Sequence, residues 1–142
     1  PDPDPVPPEP PKPPKPPKPS IFERFAAARG FRKIGDDRYQ HADGSTLVRN
    51  HGSRFSWELL GPHGEPVCLL PREHCLEREP LQLDADIWGL LQQSPQHYAL
   101  ILEGVDGAPR TVTGVQLRTM LDDHRIALYP ATYRLAYETE NQ

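Results

Sequence analysis

The chain of 142 residues has little cysteine and no long hydrophobic run. It holds two cysteines, Cys68 and Cys75, which are too few for a framework of disulfide bonds. No stretch of about 18 apolar residues occurs, so the sequence predicts no membrane-spanning helix. The sparse cysteines, together with six histidines, favour a cytoplasmic protein.

Lysine is nearly absent from residues 20–142. This part has twelve arginines but a single lysine, Lys33, and its net charge is −4. Nucleic-acid affinity depends largely on a field of Lys and Arg side chains, so a broad phosphate-binding surface is disfavoured, although a small basic cleft stays possible. The preference for Arg, with abundant Ala, Gly, Leu and Pro, indicates a GC-rich bacterial genome.

Proline dominates the N-terminal segment instead. Residues 1–19 contain twelve of the nineteen prolines and close with three Pro-Pro-Lys repeats. Because proline fixes φ and lacks an amide donor, we expect a polyproline II spacer that reaches about 60 Å at roughly 3.1 Å per residue. A chain that starts with Pro1 favours a linker from a larger parent protein, with residues 20–142 as a single C-terminal domain.

Caps and apolar periodicity predict three helices in residues 20–142. A capping box of Ser20 and Glu23 opens the first helix, over about 21–29. Asp84 or Asp86 caps the second helix, which ends before Pro95. Thr113 and Gln116 form the capping box of the third helix.

Alternating patterns and turn signals predict strands between these helices. The expected strands are 38–42, 45–49, 54–60, 66–70, 98–103, 110–112, 126–129 and 132–137. The order predicts an α+β domain, in which three helices pack on a mainly antiparallel, meander-rich sheet.

The order of elements in residues 21–103 resembles that of restriction-endonuclease-like folds. Those enzymes hold a divalent metal with an acid on one strand and a Glu-x-Lys pair on the next, because phosphodiester hydrolysis needs metal-activated water. Glu58 matches the first acid, but residues 67–70 read Val-Cys-Leu-Leu, without acid or lysine. The resemblance therefore implies a nucleic-acid-processing domain with a degenerate site; an active nuclease is the other form of this alternative.

A zinc-stabilised structural module is a third hypothesis. His63, Cys68, His74 and Cys75 provide the imidazoles and thiolates that zinc prefers. The spacing differs from that of common fingers, and the adjacent His74 and Cys75 would have to diverge to reach one ion. Otherwise Cys68 is a small buried hydrophobe and Cys75 anchors a loop. No other cofactor is expected.

No catalytic pattern stands out from the remaining polar residues. His41, Asp43, His51 and Glu58 are candidates for acid–base chemistry. The first three lie at predicted turns, where polar residues are common because turns are exposed to solvent. The domain is therefore expected to be non-catalytic.

Residues 71–80, Pro-Arg-Glu-His-Cys-Leu-Glu-Arg-Glu-Pro, are the preferred recognition segment. Arg72 and Arg78 can contact carboxylates or phosphates bidentately, and Trp57 or Trp88 can supply an apolar anchor. The predicted surface consists of Trp57, Arg72, Glu73, His74 and Arg78. We expect an accessory domain that binds a protein partner or docks on the parent's catalytic core. The competing interpretation is a solvated loop with internal ion pairs and two core tryptophans.

Overall fold

A computed structural model describes residues 3, 5–8, 10–11, 18–129 and 133–137, with backbone alone for 127–129, 133–134 and 136–137. Much of the proline-rich segment lies outside these residues, so its polyproline conformation stays a prediction. Among the described residues, no helix is long enough and apolar enough to cross a bilayer.

Three helices and ten strands form within the described part, which confirms the α+β class. The helices are α1 (Ile21–Ala28), α2 (Ala85–Gln93) and α3 (Gly114–Asp122). The strands are β1 (Arg32–Gly35), β2 (Arg38–Gln40), β3 (Thr46–Arg49), β4 (Trp57–Leu60), β5 (Val67–Pro71), β6 (Leu81–Leu83), β7 (Tyr98–Glu103), β8 (Pro109–Thr113), β9 (Ile126–Tyr129) and β10 (Tyr133–Tyr137).

Helix caps follow the sequence signals in part. The Thr113 hydroxyl accepts the Gln116 amide at 3.1 Å, and the Gln116 side chain accepts the Thr113 amide at 2.8 Å, so the predicted capping box of α3 is complete. At the start of α1 the Ser20 hydroxyl accepts the Glu23 amide at 3.1 Å, but among the described residues the Glu23 side chain makes no return bond, so only half of that predicted box forms. Asp84 precedes α2 but makes no cap bond with its side chain, which pairs with Arg54 instead.

The strands form two sheets. Seven strands follow the order β1-β2-β3-β4-β5-β7-β8, and β6-β10-β9 form a small second sheet. All neighbours are antiparallel except β5 and β7, which pair in parallel, so the large sheet is mixed. A parallel pair needs a crossover connection, and β6 with α2 supplies it here. The expectation of one sheet omitted β1, β6 and this crossover.

Apolar clusters cover both faces of the large sheet, and β7 contributes to each. Ala99 and Ile101 belong to a cluster with α1, whereas Leu100 and Leu102 belong to a cluster with α2, α3 and the small sheet. All four side chains are buried. Successive residues of a strand point to opposite faces, so a strand buried on both faces is apolar at every position. β7 therefore lies between the two apolar clusters.

Candidate recognition surface

The predicted recognition segment becomes loop 72–80, the connection between β5 and β6. Its backbone continues the pairing of β5 with β7: the Arg72 amide donates to the Ile101 carbonyl at 2.9 Å, and the Glu103 amide donates to the His74 carbonyl at 2.9 Å. Cys75 and Leu76 are buried beneath it. The loop is thus fixed to the domain at its beginning and in its middle.

Glu73 ties this loop to the first helix. Its carboxylate accepts the Ile21 amide at 2.5 Å and lies 3.3 Å from the Arg24 guanidinium. Arg24 also contacts Glu103 at 2.6 Å and donates to the Gly107 carbonyl at 2.8 Å. Both oxygens of Glu73 are therefore engaged by the α1 end of the domain. Lys18 and Pro19 line a cleft together with Arg24, Glu73 and Glu103. The proline-rich segment therefore enters the domain beside loop 72–80.

His74 and Arg78 also bind their own chain. The His74 Nε2 atom lies 2.9 Å from the Glu79 carbonyl oxygen, so this nitrogen carries the hydrogen and donates it. Arg78 donates to the Val105 carbonyl at 2.7 Å, which connects the loop to the turn between β7 and β8. Both side chains are therefore tied to their own chain, although Arg78 keeps further N–H donors beyond this one bond.

Arg72 differs from the other three candidates on the loop. Its Nε atom is buried and has no hydrogen-bond partner in the described part of the chain. The side chain lines a cleft of about 410 Å³ together with Glu73, His74, Pro80, Leu81 and Gln82. A buried polar donor without a partner costs about 1–3 kcal/mol, and more when it is charged. Within the part of the chain that the structure describes, Arg72 thus forms no ion pair in this cleft.

The structure does not place tryptophan on this surface. Trp57 is 7% exposed and stacks on Phe22, with ring centroids 3.9 Å apart and planes 12° from parallel. Trp88 is 5% exposed and belongs to the cluster on the opposite face of the sheet. Both tryptophans serve the core, as the competing interpretation held. The expectation of Trp57 as a surface anchor is corrected, and the candidate surface reduces to Arg72, Glu73, His74 and Arg78.

The four residues predicted as zinc ligands do not come together. His63 is exposed in the turn after β4, Cys68 is half-buried in β5, and Cys75 is buried in loop 72–80. Within the described residues, no group of three or more His, Cys, Asp and Glu side chains is arranged to hold a metal ion.

Glu58, matched above to a nuclease acid, lies in β4. Its register partners are Val48 on β3 and Cys68 on β5, which provide neither acid nor lysine. Lys33 lies in β1, with β2 and β3 between it and β4. The pair of residues that would complete a metal site is therefore not beside Glu58.

The turn between β2 and β3 explains two of the polar candidates for acid–base chemistry. The Asp43 carboxylate accepts the Ser45 amide at 2.8 Å, and the His41 ring accepts the Asp43 amide at 3.0 Å. The hydrogen bond from the Ser45 backbone is the main reason why the pKa of Asp43 lies below its ordinary value. Asp43 thus stays ionised and stabilises a turn.

Cys68 is expected to react slowly with alkylating agents. Burial raises the pKa of its thiol above the ordinary value, and the charge of Glu58 on the paired strand adds to the rise. Since the thiolate is the reactive form, the pH midpoint of iodoacetamide modification should be higher in the folded chain than in urea. Peptide mass spectrometry separates Cys68 from Cys75.

Glu58→Gln should lower that midpoint because it removes the neighbouring negative charge. Glu23→Gln is the matched control, since it makes the same change on the exposed side of α1 and should leave the midpoint unchanged. Equal midpoints for folded and unfolded chains would contradict the assigned pKa direction.

Comparison with models of protein families, with curated proteins and with solved structures gives no match for this chain. No residue role can therefore be carried over from a relative. The contacts of loop 72–80 are the basis for the functional conclusion.

Proposed function

We propose that residues 20–142 form a non-catalytic recognition domain, joined by the proline-rich segment to a larger cytoplasmic bacterial protein. The domain binds an acidic group through Arg72, either on a protein partner or on another domain of the parent. One observation carries this proposal: the Arg72 Nε atom is buried and has no partner among the described residues, while Glu73, His74 and Arg78 beside it are engaged by their own chain.

The chemistry of the guanidinium group favours a carboxylate. Arginine presents its donors in a planar fork that matches a carboxylate, and such charge-assisted pairs are stronger than neutral hydrogen bonds. The cleft of about 410 Å³ has room for one side chain or chain terminus. Because Glu73 is held by Ile21 and Arg24, it does not neutralise Arg72 fully, and an incoming acid can compete.

A rigid loop also favours binding. Association is weakened by the entropy lost when a flexible segment becomes ordered. The Arg72 and His74 backbone bonds to β7, and the Arg78 bond to Val105, fix loop 72–80 in advance. The entropy lost by loop 72–80 when a ligand binds is therefore small.

A protein ligand fits the surroundings better than nucleic acid does. Glu73, Glu77 and Glu79 are exposed on the same loop, so they would repel the repeated charges of a phosphate backbone more strongly than a single carboxylate at Arg72. The net charge of −4 also disfavours the binding of nucleic acid.

A degenerate restriction-endonuclease-like domain is the second candidate. The succession of α1, a set of strands, α2 and the apolar β7 is the observation in its favour. Architecture alone is weak support for function, and Glu58 has no acidic neighbour on the adjacent strands. A zinc-stabilised module ranks below it because, among the described residues, its candidate ligands form no group arranged to hold a metal ion.

The test is affinity capture with the full 142-residue chain as bait in lysate of the native host. Captured proteins are identified by mass spectrometry, purified and titrated against wild-type and variant chains. Arg72→Ala should weaken binding roughly 30-fold or more, because truncating one member of a buried charge pair costs about 2–5 kcal/mol. Arg72→Lys should recover part of the loss, since it restores charge but not the fork.

Arg38→Ala is the matched control. Arg38 is exposed on β2 and no side-chain partner is found for it among the described residues, so its removal should leave affinity unchanged. Thermal unfolding of each variant shows whether the fold is retained. If Arg72→Ala binds every captured protein as tightly as the wild type, the proposal is wrong.

A further inference from the structure

β8 is an outer strand of the large sheet. Among the described residues it pairs with β7 alone, so the backbone groups on its other side have no strand partner. Beside it runs α3, and the two elements border a groove of about 340 Å³. An exposed strand edge is a ready template for pairing with another chain.

The groove has an apolar floor. Val112 is the register partner of Leu100, and Arg110 is the partner of Leu102, so both lie on the face of β8 that is turned towards α3. Met120 and Val115 of α3 line the opposite side, and Val115 is 49% exposed. Alternate side chains of an added strand would point into this apolar floor.

The rim of the groove is predominantly basic. Arg110 and Arg125 line it, against one acid, Glu77. The carboxylate of Asp106 lies 3.9 Å from Arg110, and both side chains are about 60% exposed, so this pair holds Arg110 weakly. The Arg125 side chain has no ion-pair partner within the described part of the chain. Two cations are thus available beside an open strand edge.

We propose that this groove binds an extended acidic segment of a partner protein, which pairs with β8 as an added strand. Its backbone completes the hydrogen bonds of β8. On the face that points to α3, apolar side chains of the segment pack on Val112 and Val115, and carboxylates two positions away on the same face contact Arg110 and Arg125. Charge complementarity selects this occupant, because a second copy of the chain would bring its own arginines to the same rim. The surface is separate from the Arg72 cleft and does not depend on the function proposed for it.

The experiment selects ligands from a displayed library of random ten-residue peptides, with the full chain as target. Enriched peptides should carry an acid and an apolar residue two positions apart, so that both side chains point to the groove face. For one such peptide, amide NMR shifts should concentrate on residues 110–113 of β8 and on Gly114–Asp122. Arg110→Ala/Arg125→Ala should weaken its binding at least tenfold, and Arg110→Lys/Arg125→Lys should retain most of the affinity.

A peptide N-methylated at alternate residues is the control for strand pairing. It keeps every charge but loses backbone donors, so it should bind at least tenfold more weakly when the methylated positions face β8; both alternate patterns are tested. Arg72→Ala should leave the peptide's affinity unchanged. Selection without enrichment of acids, equal binding of both methylated forms, or loss of binding in Arg72→Ala alone would each overturn the inference. Shifts at β8 that depend on protein concentration without peptide would also overturn it, in favour of self-association.

Discussion

Phe22→Ala is expected to lower the free energy of unfolding by about 3–5 kcal/mol, the usual cost of removing a buried phenyl ring. Phe22 is 4% exposed, stacks on Trp57 at 3.9 Å between centroids, and meets Tyr39 edge-on at 5.4 Å. Its loss opens a cavity between α1 and the sheet. Because a domain is stable by only about 5–15 kcal/mol, urea denaturation followed by circular dichroism should show a large shift of the midpoint.

Phe31→Ala is the matched control for this change. Phe31 is half-buried at the edge of the same cluster and contacts His41. The same truncation there should cost less than half as much, since less apolar area leaves water on folding. Equal losses in the two variants would contradict the position of Phe22 at the centre of the cluster.

Gly114→Ala is expected to destabilise the domain by about 3 kcal/mol, the upper end of the usual cost of overpacking. A Cβ atom on Gly114 would lie 2.3 Å from the Leu91 carbonyl oxygen and 2.6 Å from the Pro95 Cα atom. Both are backbone atoms at the end of α2, so no side-chain rotation can relieve the contact. The start of α3 would have to move away from α2, which thermal and urea denaturation would report.

Gly89→Ala should have the opposite effect. Gly89 lies inside α2, and a Cβ atom there would meet nothing within 4 Å. Replacing an interior helical glycine by alanine stabilises a helix by roughly 0.5–1 kcal/mol. If Gly114→Ala were as stable as the wild type or more stable, the close approach of α2 and α3 at Gly114 would be wrong.

Local signals were sufficient to predict several elements. The capping box at Thr113 and Gln116 lies within four residues, and the apolar run of β7 identifies a strand buried on both faces. Such features depend on neighbouring residues, so the sequence displays them directly. The short β6, with three residues, and the wholly exposed β1 show no comparable pattern.

Contacts between distant residues were not predictable in the same way. The parallel pairing of β5 with β7 depends on where the crossover through β6 and α2 returns the chain. Trp57 is buried because α1, some thirty residues earlier, covers it with Phe22. A tryptophan in a sequence satisfies the pattern of a core and of an interface equally well.

The candidate recognition surface likewise combines local features that the sequence shows with long-range contacts that it does not show. The density of charged residues identified residues 71–80 as a surface loop. It did not show which of their side chains is able to bind a ligand. Their difference arises from contacts far along the chain, such as Glu73 with Arg24 and Arg78 with Val105. These bonds engage the neighbours of Arg72, whereas its own Nε atom has no hydrogen-bond partner among the described residues. This difference between Arg72 and its neighbours is visible only in the folded structure.

Both outer strands of the large sheet carry features that discourage aggregation. β1 presents Arg32 and Lys33, and β8 begins with Pro109 followed by Arg110. Proline cannot donate to a growing ladder, and like charges on facing edges repel each other, so copies of this chain are hindered from stacking into fibrils. The same arginine that keeps the protein dispersed admits a strand of opposite charge. A substitution of Arg110 would then alter both the tendency of the protein to aggregate and its choice of partner.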